Sequence, residues 1–107
     1  MEFAFDADII STFAKIEKLE LLKKVFSKSS LIITPAVSSD LQRSKSSLVK
    51  DALKSKLFQL ENLNKQESVL ANNIHAQRKL GMGESETIAL CKERNAAFVT
   101  NDNKAIS

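Results

Sequence analysis

The chain is 107 residues long with 43% apolar and 27% charged residues, a composition that suits one globular domain and argues against wholesale disorder. A single cysteine, Cys91, excludes an intrachain disulfide and a cysteine-rich zinc site, and a single histidine, His75, excludes a histidine-rich one. The net charge of +3 permits a nucleic-acid partner, and no apolar run is long enough to span a membrane.

Phe3-Ala4-Phe5 is a short apolar run ending at Asp6, and Glu2–Phe5 reads as a buried strand. From Asp8 the spacing turns helical through Ile9, Ile10, Phe13 and Ile16, with Asp8 placed to cap the helix. Leu19, Leu21, Leu22, Val25 and Phe26 mark a second amphipathic helix that ends near Ser27–Ser30. Leu31-Ile32-Ile33 is a second strand. Thr34 then offers a capping hydroxyl just before Pro35, so a helix is expected from about Pro35 through Gln42.

Ser44–Ser47 is a polar break. Leu48, Leu53 and Leu57 predict another helix with a basic outer face, and Leu57–Leu60 reads either as its end or as a weak edge strand. Val69, Leu70, Ile74 and Leu80 carry a further helix into Gly81-Met82-Gly83, where the glycines are expected to make the turn. Glu84–Arg94 reads as a helix with acids in its first turn and bases in its last. Ala96–Val99 is a third strand, running into Thr100-Asn101-Asp102.

Strands alternating with helices predict an α/β fold, a mostly parallel sheet covered on both faces. In such sheets ligands bind beyond the carboxyl ends of the strands. Asp6 and Asp102 each follow a strand, Glu84 opens a helix after a glycine pair, and Asp40 lies about two turns into the helix after the second strand. Carboxylates converging on one point repel, and a divalent cation offsets that repulsion. With no cysteine or histidine cluster to draw on, hard oxygen ligands favour Mg²⁺ or Mn²⁺.

Three segments resemble the PIN-domain nucleases, including VapC-type toxins: FAFDADIIS (3–11), LIITPAVSSDL (31–41) and GMGESETIALCKERNAAFVTNDNKAI (81–106). The resemblance implies a three-layer αβα fold and Mg²⁺- or Mn²⁺-dependent hydrolysis of RNA phosphodiester bonds. The family's four acids fall on Asp6, Asp40, Glu84 and Asp102, with Asp6, Glu84 and Asp102 as metal ligands and all four in the catalytic set. Asp40 stands where the family has a glutamate one methylene longer. Thr100 is expected to orient a ligating carboxylate, and Asp8 and Glu86 are supporting candidates, Glu86 competing with Glu84. The pattern ends before the family's last strand. An RNA substrate, an antitoxin partner and pairing with a second copy are the implied partners. MEFAFDAD has no signal-peptide pattern, so the cytoplasm is the expected location.

Each acid also has a plainer reading as a cap or a turn residue. Arg43, Lys45 and Lys50 form a basic stretch with Lys54 and Lys56, which reads either as a phosphate-holding flank or as a solvated helix face. His75 is expected to be surface or structural, and Cys91 a core thiol. One competing class is a PIN-like module that binds RNA or protein without catalysis. A second is a haloacid-dehalogenase-type phosphotransferase, suggested by Asp6-Ala7-Asp8 after a strand, but no later paired-acid motif supports it.

Overall fold

The computed structural model describes residues 1–100. In chain order the elements are β1 (Glu2–Phe5), α1 (Ala7–Lys15), α2 (Leu19–Val25), β2 (Ser30–Ile33) and α3 (Pro35–Gln42). They continue with α4 (Ser47–Lys54), β3 (Gln59–Leu60), α5 (Lys65–Arg78), α6 (Met82–Arg94) and β4 (Ala97–Val99). Among the described residues the sheet runs β3-β2-β1-β4 and every pairing is parallel. The α/β expectation holds, and Gln59–Leu60 resolves as an edge strand. No helix among the described residues is long and apolar enough to cross a membrane.

Strand alternation divides the core into two. Phe5, Leu31 and Ile33 face one way and pack with Ile10, Leu22, Val37, Leu41 and Val49 from α1–α4. Ala4 and Ile32 face the other way, against Leu90 of α6. The result is three layers: α1–α4, the sheet, then α5 and α6. Phe26 closes the larger core, its ring 4.6 Å from Phe3 and 5.4 Å from Phe5 between centroids.

Capping chemistry sets most helix starts. Thr34 Oγ1 accepts from the Val37 backbone N–H at 3.3 Å, and Pro35 occupies the first turn. Asn64 and Glu67 form a reciprocal capping box on α5, with bonds of 2.8 and 2.9 Å. On α1 the cap is Asp6 rather than the expected Asp8, because β1 runs straight into the helix and leaves no intervening turn.

The glycine expectation holds for Gly81, which lies in the connection between α5 and α6, and fails for Gly83. Neither has a positive φ; the left-handed positions are taken by Glu17, Lys56, Lys79 and Asn95. Lys79 and Asn95 end α5 and α6 in the conformation that glycine usually supplies. Gly81 caps α6 in an extended conformation, and Gly83 lies inside the helix.

Candidate active site

Parallel pairing puts the carboxyl ends of all the strands along one edge. Asp6 stands there, immediately after β1, and is only 2% exposed. Its Oδ1 accepts from the Ile9 backbone N–H at 3.0 Å, as an N-cap should. Its Oδ2 accepts from the Thr100 hydroxyl. Thr100 is in reach because β4 pairs beside β1, with Val99 in register with Phe5. A backbone bond of 3.4 Å from Asp6 N–H to Val99 O extends that pairing by one step. The Asp6 carboxylate is thus oriented from two sides, at the positive end of α1.

Asp40 comes from α3 and Glu84 from the first turn of α6. The two helices approach closely at Gly83. A Cβ on Gly83 would lie 3.2 Å from Asp40 Oδ2 and 3.2 Å from Val37 Cγ2. A cavity of about 70 Å³ opens at the junction, lined by Asp6, Asp8, Asp40 and Glu84 together with Ala7, Gly81 and Gly83. Four acids from three chain segments therefore line one small space. Its size suits water or a small ion, not a nucleobase.

The two acids of the G-x-G-E-x-E segment have separate placements. Glu84 lines the cavity. Glu86 turns toward α3, where its Oε1 accepts from the Ala36 backbone N–H at 2.8 Å. Together with Thr34 it serves the first turn of α3, which otherwise has unbonded donors. Arg43 pairs with Asp40 one helical turn away. Lys45 and Lys50 are exposed and do not line the cavity. Asp102 lies outside the described residues. The donor set is all carboxylate oxygen, which fits a hard divalent cation in chemistry. Among the described residues no three such side chains stand close enough together to enclose a cation by themselves.

Sequence reasoning missed the ion pairs that tie the end of α6 to the start of α5. Arg94, at the far end of α6, donates from Nε to Glu67 Oε2 at 2.8 Å and from a terminal nitrogen to Glu67 Oε1 at 3.0 Å. It also reaches Glu61 Oε1 and the Asn62 carbonyl, both at 2.8 Å. Glu67 is fully buried. The hydrogen bond from Arg94 holds its carboxyl below the usual range, against the opposing effect of burial. The signal available in the sequence was the N-x-x-E capping pattern at Asn64–Glu67. Near the front of α6, His75 Nδ1 bonds the Leu80 carbonyl at 2.5 Å and so ties down the turn before Gly81. Cys91 is partly buried beside the smaller core; burial pushes its thiol up to about 12, and the charge of Glu2 adds to the shift.

A family model described as a PIN domain matches residues 2–106. The chain belongs to the PIN-domain family. Two solved structures share its fold. VapBC2 from Rickettsia felis, bound to a DNA fragment from its promoter, matches with a TM-score of 0.74 at 13% identity, covering 97% of this chain and 90% of that one. PAE2754 from Pyrobaculum aerophilum matches with a TM-score of 0.65 at 12% identity, covering 99% of this chain and 86% of that one. Among curated proteins none matches the sequence. In this PIN domain three of the acids singled out in the sequence, Asp6, Asp40 and Glu84, line one cavity.

Proposed function

We propose that this PIN domain is a Mg²⁺- or Mn²⁺-dependent endoribonuclease. The observation that carries the reading is the cavity at the carboxyl edge of the sheet, walled by Asp6, Asp40 and Glu84. Asp6 and Glu84 would hold the cation together with Asp102, the residue the family pattern aligns with its fourth acid. When bound, such a cation lowers the pKa of water and offsets charge on a phosphate under attack.

The chain's own groups do the rest. Thr100 and the Ile9 N–H fix the Asp6 carboxylate before substrate arrives. Glu84 lies at the positive end of α6 and orients the attacking water or accepts its proton. Water adds to phosphorus as the P–O ester bond breaks, and the leaving oxygen is protonated from solvent. Asp40, shorter than the family's glutamate and paired with Arg43, acts from the outer side of the cavity. The likeness in fold to VapBC2 supports a toxin with an antitoxin partner as the biological setting.

The Asp40–Arg43 pair also favours a second reading, a PIN-like module that binds RNA and cleaves weakly or not at all. One experiment separates the two. Purified protein is incubated with fluorescent single-stranded RNA in EDTA, then in Mn²⁺ or Mg²⁺, beside Asp6→Asn. Cleavage that needs the metal and vanishes in the variant supports the nuclease. No cleavage by folded protein across several RNA sequences favours the binding module.

A further inference from the structure

The opposite edge of the sheet, at the amino ends of β2 and β3, carries a groove of different chemistry. Two adjoining cavities of about 230 and 310 Å³ share Lys23, Lys56 and Leu57 as common wall. Ser27, Ser29 and Ser30 line the larger groove they form. Among the described residues no partner takes the ammonium groups of Lys23 and Lys56 or the hydroxyls of these serines. Lys24 and Lys54 follow on the helices that carry or precede these lysines, and Lys28 on the turn after α2. The acids nearby are Glu20, on the groove's outer wall, and Asp51.

Ammonium groups beside uncommitted hydroxyls are donors without matching acceptors, the complement of phosphate oxygen. The groove offers no surface for reading bases. Phe26 is its aromatic wall, and that ring is already engaged by Phe3 and Phe5. Backbone contact without base recognition is what remains. The groove also cannot serve the phosphate being cut: β2 alone, at four residues, separates the two edges by ~13 Å.

We propose that the Lys23–Lys56 groove is a second, sequence-independent contact for the phosphate backbone of single-stranded RNA, remote from the acid cavity. The proposal rests on the ribonuclease reading for its choice of polyanion. RNA reaching both edges is gripped at one and presented at the other. Oligonucleotides too short to span the sheet can occupy the groove without being presented to the acid cavity.

The test is fluorescence anisotropy with a labelled single-stranded RNA of about 20 nucleotides, in EDTA so that nothing is cut, across a range of salt. Lys23→Gln/Lys56→Gln is compared with a charge-matched control, Lys65→Gln/Lys92→Gln. The groove variant is expected to bind about 5- to 20-fold more weakly, with its salt slope lower by about 1.4, roughly 0.7 for each lysine. The control is expected to lose no more than about 2-fold. Equal losses in both double variants would reduce the effect to net charge and overturn the proposal. So would unchanged binding in the groove variant, or displacement of the RNA by poly-glutamate as readily as by unlabelled RNA. Because anisotropy in EDTA does not read cleavage, a failed groove and a failed nuclease give different results.

Discussion

Gly83 is pressed against Asp40, with room for a hydrogen but not comfortably for a methyl group: a Cβ there would meet Asp40 Oδ2 and Val37 Cγ2, each at 3.2 Å. Val37 is fully buried and has little room to move, whereas the Asp40 side chain is 43% exposed and can swing outward. Gly83 is the second residue of α6, so alanine gains less than the helix-interior value of about 1 kcal/mol in helix propensity. The gain and the crowding nearly offset each other. Gly83→Ala should therefore change stability by less than about 1 kcal/mol in urea melts, yet displace Asp40 from the cavity. RNA cleavage is expected to fall about 10-fold, and a variant as active as the parent would show that the close approach has no bearing on Asp40.

Glu86 offers a way to separate bracing from chemistry. Its Oε1 accepts from Ala36 N–H, and a glutamine keeps that oxygen. Glu86→Gln should retain near-parental stability and cleavage. Glu86→Ala should lose about 1 kcal/mol, the usual value of a helix cap. Glu84→Gln, by contrast, should fold normally and abolish metal-dependent cleavage. If Glu86→Gln proves as inactive as Glu84→Gln, Glu86 takes part in the chemistry.

Arg94 and Glu67 make the fold sensitive to acid. The folded Glu67 carboxyl titrates below its ordinary value of 4.5, chiefly through the Arg94 hydrogen bond. Its contribution is therefore complete above that value and is lost as pH falls through the folded pKa. Urea melts between pH 7 and pH 3 should show the loss, and Glu67→Gln should flatten that part of the curve. Arg94→Met leaves a buried carboxylate without its partner, at a cost of about 3 kcal/mol at pH 7. A variant within about 0.5 kcal/mol of the parent would rule out the brace.

Cys91 should be chemically quiet. With its thiol pushed up to about 12, it stays protonated in the folded protein where an ordinary cysteine has begun to ionise. Iodoacetamide at pH 8.5 should label native protein at least about 100-fold more slowly than protein in urea. The same shift means this group's contribution to stability is whole below the unfolded pKa and declines as pH rises through it toward about 12.

Much of this could be read from the residues in line. The apolar runs gave β1, β2 and β4, and Thr34-Pro35 marked the start of α3, because each signal is local. The three acids that meet were legible through motif spacing. Gly83 is no turn former: it permits a contact with a helix more than forty residues earlier, and no local pattern records that. The spacing points to Asp8 as the cap because it does not show that β1 enters α1 without a loop. Arg94 escaped for the same reason as Gly83: its partners Glu61, Asn62 and Glu67 lie in another segment. The basic stretch does not act as a unit, since Arg43 pairs with Asp40 while Lys56 lines the opposite edge.

Asp6 and Thr100 are 94 positions apart, and β1, made first, sits inside the sheet between β2 and β4. One side of β1 is filled early in synthesis. The other stays open until β4 has emerged. At about 5–20 residues per second, several seconds separate the synthesis of Asp6 from that of Val99 and Thr100. Pairings this distant in sequence also form slowly once the chain is free. The order of the segments thus acts as a timer: the bond that orients Asp6 from Thr100 waits until β1, β2 and β3 have all been made.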